Sequence, residues 1–230
     1  MPLLSNEIQI LCSDISRPLE SPEDSAGLLD ESEKERYRRF RFDADRLRFL
    51  HGRSILKKHA SRLLEADPNE MMISFNPHGK PLFSNQPLKF SITHSGNVTA
   101  VAFSHTIEIG LDSECIREID DISGLSLRFF SDAENQYLSG LSDKEVLKEN
   151  FFRVWSAKEA YVKAAGTGLS TVLSDFSVVD SNGHFRLMMN NNIQPSAVLH
   201  ELSLGEGHRS FLCALDPPEE LQISIEQITL

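Results

Sequence analysis

Apolar and polar positions alternate along this chain in a way that separates short strand-like runs from a few longer helical ones. Ile8-Gln9-Ile10-Leu11-Cys12 reads as a strand, and the acidic, Ser/Pro-bearing segment Ser13 to Ser25 as a loop. A helical pattern begins at Ser32, which is placed to cap it, with Glu33 and Glu35 suited to a first turn. A longer helix is expected over Asp43 to Leu64. Leu47, Leu50, Ile55, Leu56 and Leu63 give it an apolar face, and Arg46, Arg48, Arg53, Lys57 and Lys58 a basic remainder. After Asp67-Pro68-Asn69 the period shortens, and Met71 to Phe75, Lys89 to Thr93, Val98 to Phe103 and Glu108 to Glu114 read as strands. Helical patterning returns from Leu125 to Ala165, broken near Gly140 and closed by Gly166. The remainder is strand-like: Phe176 to Val179, Phe185 to Met189, Ala197 to Leu204 and Phe211 to Leu215, with turns at Ser181-Asn182-Gly183 and Gly205-Glu206-Gly207. Helices followed by strands, twice over, predict an α+β fold with helices packed on antiparallel strands. The join near 104–108 divides it into an N-terminal half, 1–104, and a C-terminal half, 105–230.

Composition narrows the setting. The 230 residues suffice for one large domain or two small ones, and 40% apolar with 25% charged residues is ordinary for a globular protein. No run approaches the roughly 18 apolar residues that a membrane span needs, so no membrane partner is expected. The N-terminus lacks a basic region followed by an apolar core, so no secretory signal is expected. Cys12, Cys115 and Cys213 are odd in number and widely spaced, which argues against a disulfide framework and for a reducing cytoplasm. The net charge of −11 opposes generic nucleic-acid binding, whereas positive charge gathers between Lys34 and Arg62, which leaves room for a local anion site.

Three stretches carry candidate chemistry. In Gly110-Leu111-Asp112-Ser113-Glu114, Asp112 and Glu114 are two apart on a strand and share a face. Carboxylates that close repel unless a cation intervenes or one is protonated, and magnesium suits an oxygen-only site; an exposed acidic strand end has the same pattern. In Trp155-Ser156-Ala157-Lys158-Glu159-Ala160-Tyr161-Val162-Lys163, residues Trp155, Glu159 and Lys163 fall on one helix face, where Glu159 and Lys163 also suit a simple helix ion pair. Gly79-Lys80-Pro81, then Phe90-Ser91-Ile92-Thr93-His94-Ser95-Gly96, offers hydroxyls, an imidazole and backbone N–H groups of the kind that meet phosphate.

In order and spacing these stretches closely resemble the Sfp-type 4′-phosphopantetheinyl transferases. The resemblance runs from about Arg38 to Leu169 and more loosely to the C-terminus. The family's Gly-(Ile/Val)-Asp-x-Glu strand appears as Gly110 to Glu114. Its Trp-x-x-Lys-Glu-Ala-x-x-Lys-x-x-Gly-x-Gly-Leu block appears complete as Trp155 to Leu169. Leu111 replaces the usual Ile or Val, and Thr93 stands where Ser is common, keeping the hydroxyl. The resemblance implies two similar halves related by a pseudo-twofold, with coenzyme A in the cleft between them. It makes Asp112, Glu114 and Glu159 magnesium ligands, with manganese able to substitute, and Lys163 a phosphate contact. It also sets Lys80, Pro81, Thr93 and His94 near the 3′-phosphate and adenine, Arg48 facing the nucleotide, and Arg36 near the N-terminal phosphate contacts.

The implied reaction passes 4′-phosphopantetheine to a serine of an apo acyl or peptidyl carrier protein and releases adenosine 3′,5′-bisphosphate. Phosphoryl transfer asks mainly for positioning and charge neutralisation, which Lys163 and a metal supply. The acceptor of the serine proton is Glu159 or a water on the metal. A metal-dependent phosphodiester hydrolase uses paired acids and a lysine too, but the acidic balance opposes a nuclease. A non-catalytic carrier-binding protein would not need the intact Asp112, Glu114, Glu159 and Lys163.

Overall fold

The computed structural model describes residues 3–17, 19 and 21–230. Strand β1 (Glu7–Asp14) leads into helices α1 (Pro22–Gly27), α2 (Glu31–Arg39) and α3 (Asp43–Leu64). Strands β2 (Ile73–Phe75), β3 (Pro81–Phe83), β4 (Lys89–Ser95), β5 (Val98–Ser104) and β6 (Glu108–Cys115) follow. Next come helices α4 (Ile122–Phe129), α5 (Asp132–Ser139) and α6 (Lys144–Ala165). The chain closes with β7 (Ser177–Val179), β8 (Phe185–Met189), β9 (Asn192–Ile193), β10 (Ala197–Leu202), β11 (His208–Leu215) and β12 (Gln222–Gln227).

Two sheets organise the molecule. The first has the order β12-β1-β5-β4 and the second β10-β11-β6. Period-2 patterning assigns each face its job. Leu11, Val101 and Phe103 of the first sheet lie under Ile55, Leu56 and Ala60 of α3. Its other face, with Ile8, Ile10, Ala100 and Ala102, meets Ile109, Leu111, Leu212 and Ala214 of the second sheet. Phe211 and Cys213, on the far side of that second sheet, pack with Ala157, Ala160 and Ala164 of α6. The result is an α+β stack of helix, sheet, sheet and helix in two similar halves. In each, a 22-residue helix lies over antiparallel strands. Both helices end in a left-handed residue, Glu65 at φ 52° and Gly166 at φ 67°.

The structure corrects several expectations. Strand β12 was not foreseen. It pairs parallel to β1, from Glu7↔Gln222 to Cys12↔Gln227, so the first sheet is mixed and the C-terminal end crosses back into the N-terminal half. The expected loop Ser13 to Ser25 contains most of α1, capped by Ser21 with Pro22 at its first position. Helix α2 is capped by Asp30 rather than Ser32, in a reciprocal capping box with Glu33. The helical patterning over 125–165 breaks near Gly140 as expected and once more after Phe129, giving three helices, each with its own side-chain cap: Asp121, Ser131 and Asp143. Arg53 and Lys57 do not belong to a solvated face of α3; both are buried and meet the Glu33 carboxylate at 2.8 and 2.6 Å. That buried cluster binds α2 to α3, and burial demands such pairing of charge. Among the described residues, no helix is long and apolar enough to cross a membrane.

Candidate active site

The two sheets meet at a corner where β4, an edge strand of the first, runs beside β6, an edge strand of the second. An edge strand leaves every second N–H and C=O without a backbone partner. On the N–H side, the hydroxyls of Ser91, Thr93 and Ser95 accept from the backbones of Leu111 (2.9 Å), Ser113 (2.9 Å) and Cys115 (3.0 Å). On the carbonyl side two lysines serve. Lys163 Nζ donates to Leu111 O at 3.0 Å and Ile92 O at 3.4 Å, and Lys80 Nζ to Ile109 O at 3.4 Å. Helix α6 crosses β6 in direct contact. A Cβ on Gly110 would lie 2.0 Å from Ala160 O and 2.3 Å from Ala164 N, so only glycine permits the crossing that brings Glu159 and Lys163 over Asp112 and Glu114.

Charge is concentrated at this crossing. Lys163 Nζ sits 2.7 Å from Asp112 Oδ1, so its ion-pair partner lies on β6 rather than one helical turn away at Glu159. Asp112 is buried, and among the described residues its Oδ2 has no hydrogen-bond partner. Burial and then the Asp112 charge raise the proton affinity of Glu114 above the ordinary carboxylate range; Ser95, donating to Glu114 Oε2 at 3.0 Å, works against that rise. Burial, followed by Asp112, likewise raises Glu159, with Lys163 opposing and Glu114 adding. His94 is exposed, so its desolvation is partial; that, with the charges of Lys163 and Arg48, lowers its proton affinity, and Asp45 opposes the change.

The acids fit a divalent cation. Among the described residues no three acidic or imidazole side chains converge as a ready-made cage, and Asp112 faces Lys163 instead. Yet a buried carboxylate oxygen without a donor, beside two acids whose ionisation is resisted, is a set whose repulsion a cation relieves. Magnesium commonly takes one or two carboxylates plus substrate phosphates, so a complete cage is not required.

Two adjoining cavities open at the crossing. One, of about 410 Å³, is lined by Arg36, Arg48, Thr93, His94, Asp112 and Glu114 among others. The second, of about 620 Å³, is mainly apolar and lies among Pro81, Phe90, Phe129, Val162, Leu169 and Val172. Glu159, Lys163 and Pro81 line both.

Each residue singled out from sequence thus borders the cleft, though three make contacts other than those expected. Lys80 turns its ammonium onto Glu108 Oε2 (3.0 Å) and Ala164 O (2.9 Å), at the carbonyl end of α6. Its loop is also tied there by Asn76 Nδ2 donating to Gly166 O at 2.8 Å. Thr93 spends an acceptor site on β6, leaving its proton free to donate into the cavity. Arg48 donates to Gly96 O at 2.8 Å and pairs with Asp45, fixing the Gly96 turn at the cavity mouth. Sequence reading did not single out Ser91 and Ser95 as site residues. Their signal was the alternation Ser-x-Thr-x-Ser, three hydroxyls on one strand face.

Residues 108–216 match the family described as the 4′-phosphopantetheinyl transferase superfamily, and residues 20–106 match 4′-phosphopantetheinyl transferase, N-terminal. The 4′-phosphopantetheinyl transferase HetI of Nostoc sp. is 34% identical over 174 residues, 74% of this chain and 73% of that protein. The 4′-phosphopantetheinyl transferase Sfp of Bacillus subtilis is 29% identical over 93% of this chain and 96% of that protein. A holo-(acyl-carrier-protein) synthase from Bacillus anthracis, solved in complex with CoA (3′,5′-ADP), is 24% identical over 47% of this chain and 96% of its own, with a TM-score of 0.38. The chain belongs to the 4′-phosphopantetheinyl transferase superfamily. Its reaction is accordingly the transfer of the 4′-phosphopantetheine group of coenzyme A to a serine of an apo carrier protein.

Proposed function

We propose that this transfer depends on magnesium held by Asp112, Glu114 and Glu159, and that Glu159 and Lys163 are the catalytic pair. The supporting observation is that these two residues line both cavities. The polar cavity, with Arg36, Arg48 and His94, suits the nucleotide and its phosphates. The apolar one suits the pantetheine arm and the approach of the carrier serine. The reacting phosphorus then belongs at the junction.

When bound, magnesium would withdraw charge from the pyrophosphate and stabilise the leaving phosphate. The chain's own residues do the rest. Lys163 is anchored to strand-edge carbonyls on both halves, so its ammonium is preorganised where negative charge develops. Glu159 lines both cavities and so stands at the junction where the carrier serine would meet the phosphorus, which makes it the acceptor for the serine proton. A serine Oγ–phosphorus bond forms, the phosphorus–oxygen bond to the nucleotide breaks, and adenosine 3′,5′-bisphosphate leaves. His94 and the Lys80-Pro81 loop flank the nucleotide end, the lysine acting by holding the loop against α6. The setting is cytoplasmic, where coenzyme A and apo acyl or peptidyl carriers meet.

Intact mass spectrometry of apo carriers incubated with the protein, coenzyme A and magnesium tests this reading. The carrier should gain one phosphopantetheine. Glu159→Gln should slow that gain by about 100-fold or more, the usual worth of a positioned base. Manganese should substitute and EDTA should stop the reaction. An undiminished rate in EDTA would overturn the metal role.

A further inference from the structure

Ser95 differs from the other two hydroxyls of the β4–β6 corner. Ser91 and Thr93 each accept one backbone N–H from β6. Ser95 accepts the Cys115 N–H at 3.0 Å and donates its own proton to Glu114 Oε2 at 3.0 Å. An ionised carboxylate can only accept, so the single hydroxyl proton of Ser95 is the one in that contact, while an oxygen lone pair takes the Cys115 N–H. The carboxylate is thereby held by one named oxygen. Arg117, mostly exposed, stands 3.6 Å from that same Oε2, and among the described residues no donor is found for Oε1. Ser95 is itself fixed from behind, because its carbonyl faces His208 Nε2 at 3.0 Å.

We infer that Ser95 is a positioning residue for the metal site: by holding Glu114 Oε2 it presents Oε1 to the cation. The inference rests on the magnesium reading above and assigns the orientation of one ligand to a residue of the opposite half. Second-sphere partners of this kind typically shift metal affinity by about 10- to 100-fold when removed. Ser91→Ala is the internal control. It removes a rung of the same ladder, Leu111 N–H to Ser91 Oγ, without touching a carboxylate.

The experiment is Mn²⁺ binding measured by electron paramagnetic resonance on the full chain with saturating coenzyme A. Coenzyme A affinity in EDTA and thermal stability are measured alongside. Ser95→Ala should weaken Mn²⁺ by about tenfold or more, with coenzyme A affinity in EDTA unchanged. Ser95→Thr, which keeps the hydroxyl, should restore Mn²⁺ binding. Ser95→Cys keeps the side-chain volume with a much weaker donor, and should reproduce the loss even if the alanine variant fails to fold. Ser91→Ala should lower the melting temperature and leave Mn²⁺ affinity at the wild-type value. Unaltered Mn²⁺ affinity in both the alanine and cysteine variants at 95 would overturn the inference. So would an equal loss in Ser91→Ala, which would reduce Ser95 to a rung of the ladder. A wild type that binds no Mn²⁺ beside coenzyme A would overturn the metal reading itself and this inference with it, whereas the other two failures leave that reading standing.

Discussion

Lys158 and Lys163 sit five positions apart in the same block, and nothing local distinguishes their tasks. Lys163 points into the cleft. Lys158 is fully buried, donating to both oxygens of Glu134 at 2.7 and 2.6 Å and to Phe176 O at 2.7 Å. Burial lowers its proton affinity, and the Glu134 charge opposes that. Lys158→Met should therefore destabilise the fold by about 3–5 kcal/mol, because Glu134 is left buried and unpaired. Adding Glu134→Gln should recover part of that loss. Urea unfolding of the single and double variants measures both, and a single variant as stable as wild type would show the pair to be dispensable. His94 makes the opposite kind of prediction, since its loss should touch binding and not folding. His94→Ala should weaken coenzyme A far more than dephospho-coenzyme A in a calorimetric titration; equal weakening would remove His94 from the 3′-phosphate. At this scale the site's charged residues were legible because they are fixed in short runs. The split between a lysine that lines the cleft and a structural one was not, because Glu134 and Phe176 reach Lys158 from other elements.

Helices and strands were legible where their own pattern decides them, and α3 matches its expected bounds of Asp43 to Leu64. Caps and edge strands depend on partners. Asp30, not Ser32, caps α2 because it lies three residues before Glu33, the spacing at which both side chains reach each other's backbone N–H. Burial opposes ionisation of Asp30, but the Glu33 N–H, the Ser32 hydroxyl and the Lys57 charge outweigh it, so its carboxyl is held below the ordinary 3.8. A depressed carboxylate contributes stability above its unfolded value and loses it as pH falls through the folded one. Asp30→Ala should thus cost about 1 kcal/mol near neutrality, and the gap to wild type should close in acid below 3.8. Urea midpoints across that range check it; a gap independent of pH would assign the effect to helix propensity alone. Strand β12 was missed for a related reason. Most of Gln222 to Gln227 is exposed, and only pairing with β1 makes it a strand.

The division into halves at Ser104 and His105 is a statement about sequence, and the completed molecule ties that division together at several places. Strand β12 joins β1 across it, and the two matched family regions, 20–106 and 108–216, include neither strand. The hydroxyls of β4 satisfy the open N–H groups of β6, and Lys163 takes open carbonyls from both strands. Lys80 and Asn76 close the carbonyl end of α6 from the other half. An isolated 1–104 fragment would keep Arg48 and His94 but lose the acids and the β12 cover of β1. An isolated 105–230 fragment would keep Asp112, Glu114, Glu159 and Lys163 but leave the outer edge of β6 without its hydroxyls. Buried backbone groups without partners are costly, so each fragment should be poorly folded on its own. The ladder is made of short, pre-spaced side chains on one strand face, so the pair should reassemble when the two fragments are co-expressed. Coenzyme A binding should therefore be undetectable by calorimetry for either fragment, with or without magnesium, and should return for the co-purified pair. Tight magnesium-dependent binding by a folded 105–230 fragment alone would mean that the acids and Lys163 suffice, and that the first half supplies no part of the site.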